Sequence, residues 1–186
     1  ESRGLGDVYK RQDIVITPII TVLVGVILAQ IIGPSVQQMM KWIGEIIMLS
    51  TDSNPLIMGI VIAVIVGMVL TLPISSAALC LMLELDGLAA GAATIGCCAQ
   101  MIGFATISFK DNGLKGVLAQ GLGTSMLQVP NIYRNWKIWI PPTLASAIIG
   151  PIAIIYFNME NTALESGMGS CGLVGQIGTS VSYTHL

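Results

Sequence analysis

The chain has 186 residues, of which 54% are hydrophobic and only 10% charged, with a net charge of −2 and a mean hydropathy of +0.82. A typical soluble domain carries about 25% charged residues, so this composition excludes an ordinary water-soluble domain and places the chain in the membrane class. The eight Lys and Arg are scattered in ones and twos, which excludes nucleic acid as a partner, since that needs a clustered basic face.

Both ends differ abruptly from the interior. Residues 1–12 (ESRGLGDVYKRQ) and 181–186 (VSYTHL) resemble translated adaptor sequence. They are read as a non-native leader and tail and set aside, leaving 13–180 as a partial membrane domain, an internal fragment of a longer one. The one histidine, His185, falls in that tail.

Ile14 to Ile32 is the first predicted span, long enough at about 1.5 Å per residue to cross the hydrocarbon layer. Gly33-Pro34-Ser35 is expected to end it. Val36 to Leu49 then reads as an amphipathic helix, with Lys41 and Glu45 as an i,i+4 pair. Ser50 to Asn54 is a polar turn, and Pro55 suits a helix start. Leu56 to Leu72 is the second span. Pro73 breaks it, and Ile74 to Leu85 reads either as the far part of one kinked helix or as a half-helix lining a cavity.

The stretch from Thr71 to Lys110 organises the rest, because Glu84 and Asp86 are the only charges between Asp52 and Lys110. Gly87 to Phe109 is the third span. Gly87 and Gly91, then Ala92 and Gly96, repeat the small-x-x-x-small spacing that brings membrane helices close. Lys110 to Gly113 is a turn. Gly116 to Gln128 is too short and glycine-rich for a span and reads as a re-entrant hairpin. Ile132 to Ile140 interleaves Tyr133, Trp136 and Trp139 with Arg134 and Lys137, the composition of an interfacial belt. The fourth span is Thr143 to Phe157, with a kink expected at Gly150-Pro151. Beyond Asn158 a polar, glycine-rich stretch reads as a flexible loop or a second re-entrant element. Gly167, Gly169 and Gly172 match G-x-G-x-x-G by letter only, without the strand and helix that a dinucleotide site requires.

Charge placement predicts a topology. Lys41, Lys110, Lys115, Arg134 and Lys137 mark the cytoplasmic side, with Glu84, Asp86, Glu160 and Glu165 opposite. The chemistry is sparse. No Ser-His-Asp triad, metal site, P-loop or cofactor motif is readable, and the four cysteines read as small buried hydrophobes. What remains suits a neutral polar solute held by amides and hydroxyls. The candidate binding residues sit where apolar segments break: Ser75, Ser76, Gln100, Gln120, Thr124, Asn131, Asn158, Glu160 and Asn161. Each has a plainer reading as a helix cap or loop bond. Glu160, beside the glycine-rich loop, is the first to test.

Four blocks carry a family resemblance: TLPISSAAL (Thr71 to Leu79), GLAAGAATIGCCAQMIGFA (Gly87 to Ala105), LAQGLGTSMLQVPN (Leu118 to Asn131) and IWIPPTLASAIIGP (Ile138 to Pro151). In these the chain resembles the membrane-embedded IIC family of bacterial phosphotransferase systems, in the branch that includes perfringolysin O regulator-type proteins. The resemblance implies a sugar permease of the inner membrane, dimeric, working with IIB and IIA partners that carry the phosphorylated residues. Better-known branches place a sugar-binding carboxylate in a glycine-containing motif before a proline. MENT around Glu160 is the nearest analogue here. The expectation is an all-α, polytopic transmembrane helix bundle with broken and re-entrant segments. Its function is sugar translocation for phosphorylation by IIB, with a membrane sensor on the same scaffold as the alternative and a soluble α-helical enzyme as a weaker third.

Overall fold

The computed structural model describes the backbone of residues 3–51 and 54–184, and it divides into two units, 1–42 and 43–186. Among the described residues the architecture is all-α apart from one isolated bridge between Gly87 and Asn161. Among the described residues three helical stretches, Ile16–Ser50, Gly87–Gly123 and Trp136–Tyr156, are long and apolar enough to cross a membrane.

The first unit is the larger part of α1 (Arg3–Thr51). Here the sequence expectation is corrected, because the helix does not end at Gly33-Pro34-Ser35 but runs on with Pro34 inside it. A proline removes one backbone bond and crowds the preceding turn. The helix-forming runs on both sides outweigh that local loss. Residues 16–32 all keep exposed side chains, the surface a span presents to lipid. His185 and the centre of the expected turn at Ser50 to Asn54 lie outside the described residues.

The second unit is built on three helices. They are α2 (Pro55–Thr71), α4 (Gly87–Leu118) and α6 (Ile140–Tyr156), each packed on the other two. Asn54 caps α2 by accepting from the Leu56 N–H at 3.3 Å, and Pro55 opens the helix. Small residues set the helix spacing. A Cβ on Gly96 of α4 would collide with the Ala63 carbonyl of α2, and one on Gly67 would lie 2.7 Å from the Gly96 oxygen. One turn from Ala63 toward the start of α2, a Cβ on Gly59 would meet the Pro151 backbone of α6 at 2.8 Å. Gly59, Ala63 and Gly67 thus form a stripe at i, i+4, i+8 on α2. Gly91, singled out from sequence as a helix contact, instead lies against the Met159 backbone.

These contacts also fix direction. Gly67 pairs with Gly96 and Gln100, so α2 and α4 run parallel, whereas Gly103 against Pro142 and Gly96 against Ser146 make α6 antiparallel to both. One end of the bundle therefore carries Glu84, Asp86, Glu160 and Glu165. The other end gathers Lys110, Lys115, Arg134 and Lys137. For these eight residues the charge separation read along the sequence is a separation in space; Lys41, read with the basic set, belongs to the first unit. α6 continues through Pro151, which is buried against α2.

Between these helices the chain is broken three times. After α2, Leu72 is extended and residues 72–75 interrupt the helix before α3 (Ser76–Met82), so the half-helix alternative holds and the single kinked helix does not. At Gly113 the backbone of α4 leaves the helical region (φ 57°, ψ −150°). The expected turn is there, and the following segment folds back beside Ser108 and Asn112. It continues through a π turn (Ala119–Gly123), a 3-10 turn (Ser125–Gln128) and α5 (Val129–Arg134). The third break follows α6. Asn158 adopts φ 44° and ends the helix, and α7 (Ala163–Ser166) leads into a glycine-rich reversal before α8 (Val174–Thr184).

Candidate functional site

The second and third breaks are hairpins that enter the bundle from opposite ends. The hairpin after α4 starts at the basic end and advances along α4 until Gly121 lies beside Ala105 and Ile102. The hairpin after α6 starts at the acidic end, where the Asn161 N–H bonds the Gly87 carbonyl at 3.3 Å. It advances until Gly169 lies against Cys97, then returns through α8, whose Tyr183 hydroxyl donates to the Phe157 carbonyl at 2.8 Å. The tips meet near the middle of α4. Ser170 Oγ donates to the Gly121 carbonyl at 2.6 Å, a buried bond that joins them directly. The α3 half-helix reaches the same level, where Ser76 Oγ donates to the Gly167 carbonyl at 2.6 Å.

Both tips share a short sequence pattern. One is Gly121-Leu122-Gly123-Thr124-Ser125 and the other is Gly167-Met168-Gly169-Ser170-Cys171. Each has an apolar residue between two glycines, followed by a hydroxyl and a small polar or thiol side chain. Glycine is required at Gly169, where φ is 55° and a Cβ would strike Cys97. A Cβ on Gly167 would likewise meet the Ala77 backbone at 2.6 Å, so α3 and this tip touch backbone to backbone.

All three breaks line one cavity of about 220 Å³. Its walls include Ser75 and Ser76 from the α2–α3 break, Gly123 and Thr124 from one tip, and Gly167 and Cys171 from the other. Met101, Met126 and Met168 supply much of the apolar surface. Ser75 Oγ and Thr124 Oγ1 accept cap bonds from Ala78 and Met126 N–H groups, both at 3.2 Å. Each cap uses a lone pair and leaves the hydroxyl proton to donate. Methionine is the flexible apolar residue that lets such a surface adapt to a ligand.

The predicted site residues separate into groups. Ser75, Ser76 and Thr124 are brought together in the cavity. Gln100 is fully buried in the three-helix core, where its Nε2 donates to Thr143 Oγ1 at 3.0 Å and its Oε1 has no partner among the described residues. Gln120 is buried in the π turn, and its Oε1 is likewise unpaired. Asn131 is exposed and bonds Gln128 at 2.9 Å, and Asn158 is the exposed helix terminator. Glu160 is half-buried at the acidic end. Its neighbour Asn161 is the buried node, donating to Thr94 Oγ1 at 2.8 Å and the Gly175 carbonyl at 3.2 Å while accepting from Thr162 N–H.

Sequence reasoning missed Ser170 and Gly121, and the repeated tip pattern was the available signal. Among the described residues no group of three His, Cys, Asp or Glu side chains is placed to hold a metal, and all four cysteines are free.

Fold and site together define a multi-pass helical membrane protein with a largely apolar, open cavity, carrying a few hydroxyls, where three broken segments converge. Residues 3–185 match the family described as phosphotransferase system, EIIC, and the chain belongs to that family. The matched range takes in most of both terminal stretches that composition sets apart. Comparison with curated proteins and with solved structures gives no match. The membrane architecture and the family both accord with an inner-membrane location.

Proposed function

We propose that this chain forms part of the sugar-conducting membrane component of a phosphoenolpyruvate-dependent phosphotransferase system, and that the sugar is held in the cavity between the hairpin tips. The single observation that carries the reading is the convergence of three chain breaks on one cavity. Irregular backbone at membrane depth is tolerated only where it is sheltered in protein or lines a cavity, and broken helices are where transporters hold substrate. Ser75 and Thr124 offer hydroxyl protons to sugar oxygens, and the methionines pack against its C–H faces. Family membership supports a IIB partner that phosphorylates the sugar. That partner docks at the basic end, taken as cytoplasmic because Lys and Arg concentrate there. The assembly is a homodimer in this reading, and Glu160, Asn158, Asn161, Asn131, Gln120 and Gln100 lie outside the lining of this cavity.

The test is phosphorylation of radiolabelled sugars by membranes containing the full-length protein with its IIA and IIB partners. The Ser75→Ala/Thr124→Ala double variant is expected to raise KM strongly. Unchanged kinetics in that variant would remove the cavity from the pathway. Binding without phosphorylation by any partner set would favour the sensor, the role suggested by the resemblance to perfringolysin O regulator-type proteins.

A further inference from the structure

A second concavity, separate from the solute cavity, opens at the basic end between α2 and α6. It has a volume of about 290 Å³ and is lined by Met68, Trp136, Trp139, Ile140, Thr143 and Leu144. Its walls are almost wholly apolar. Lipid already covers a smooth helix face, so an indented apolar crevice in a membrane protein offers a place for one chain to lie in register.

The rim has a definite charge. Arg134 and Lys137 are both exposed, and each lies two residues before a crevice-lining indole, Trp136 and Trp139. No Asp or Glu occurs in the sequence between Asp111 and Glu160, and neither cation makes an ion pair among the described residues. Trp136 is 66% exposed, and the indole N–H of Trp139 has no acceptor among the described residues. Amphipathic rings settle at the headgroup level, and basic residues there attract anionic lipid. Apolar walls, two indoles and two cations thus come together at one end of the bundle.

We propose that this crevice binds one anionic phospholipid. An acyl chain lies along Met68, Leu144 and the two indoles, and the phosphate is held by Arg134 and Lys137. The floor of the crevice includes Thr143, which accepts from Gln100 and donates to the Trp139 carbonyl at 2.8 Å. Lipid occupancy therefore bears on the hydrogen bond that ties α4 to α6.

The experiment reconstitutes the full chain, with Trp42→Phe to leave Trp136 and Trp139 as reporters, in vesicles containing phosphatidylglycerol or phosphatidylcholine brominated on one acyl chain. The expected result is stronger quenching by the brominated phosphatidylglycerol at equal fraction. That preference falls roughly fivefold for each cation removed in Arg134→Gln and Lys137→Gln. Lys137→Arg keeps the charge and keeps the preference. Leu144→Phe, which fills the crevice, reduces quenching of the indoles by either lipid while circular dichroism shows unchanged helix content. Equal quenching by the two lipids in the unsubstituted chain, or a preference indifferent to both Gln variants, would overturn the proposal and leave an ordinary interfacial belt.

Discussion

Ser170 Oγ lies 2.6 Å from the carbonyl oxygen of Gly121, 49 positions away in sequence, and this bond joins the tips of two hairpins that come from opposite ends of the bundle. In a dry interior an unpaired carbonyl costs about 1–3 kcal/mol. Ser170→Ala removes the donor and takes this buried bond from the Gly121 carbonyl. The expected outcome is destabilisation within that range with helix content retained. Thermal unfolding in detergent, followed by circular dichroism, measures it. Ser170→Thr retains the hydroxyl and recovers part of the loss.

The three-helix core predicts opposite fates for two glycines. Gly96 sits where any Cβ strikes the Ala63 backbone, so Gly96→Val pushes α2 away from α4 and opens the core. Overpacking of this kind typically costs about 1–3 kcal/mol, and more where backbone rather than side chain must move. Gly123 has no neighbour within 4 Å of its Cβ position. Gly123→Ala is therefore expected to keep the unsubstituted melting temperature. Size-exclusion profiles and melting curves of the pair decide the matter, and equal behaviour would contradict the packing described.

Adjacent residues at the acidic end separate in the same way. Asn161 satisfies Thr94, Gly175 and Thr162 at once inside the protein, so Asn161→Leu strands several polar groups. A loss of about 1–3 kcal/mol for each unsatisfied group is expected. Glu160 is half-buried and makes no comparable network among the described residues, so Glu160→Gln is expected to leave stability unchanged. A sugar-binding assay on Glu160→Gln then reports on solute contact without interference from folding.

Much of this arrangement is legible in the sequence where one residue decides the local backbone. Pro73 cannot continue α2, Gly113 supplies the positive φ of the reversal, and the Trp136-Lys137-Ile138-Trp139 segment, read as an interfacial belt, falls at the basic end of the bundle. The run from Gly116 to Gln128 reads as a hairpin because it is too rich in glycine to span. The meeting of the tips is not legible in that way. It depends on a contact between Gly121 and Ser170 that no local propensity encodes, and only the paired Gly-x-Gly-hydroxyl pattern hints at it. The α2 stripe of Gly59, Ala63 and Gly67 was hidden by the uniform apolarity around it. Pro34 misled because a single lost bond does not end a helix that is favourable on both sides. Ser75 and Thr124 were found as polar groups at breaks. That they share a cavity depends on the tertiary fold.

The central claim is that two hairpins enter from opposite membrane faces and touch at mid-depth. Site-directed cysteine labelling with a membrane-impermeant maleimide tests it most directly, in full-length protein with Lys115→Cys in one variant and Glu165→Cys in another. The account predicts that Glu165→Cys labels in intact cells and Lys115→Cys only after the cytoplasmic face is opened. It also predicts that Thr124→Cys and the native Cys171, which line the same cavity, are joined by a short bifunctional thiol reagent. Labelling of both positions from one face, or no cross-link between the tips in folded protein, would contradict it.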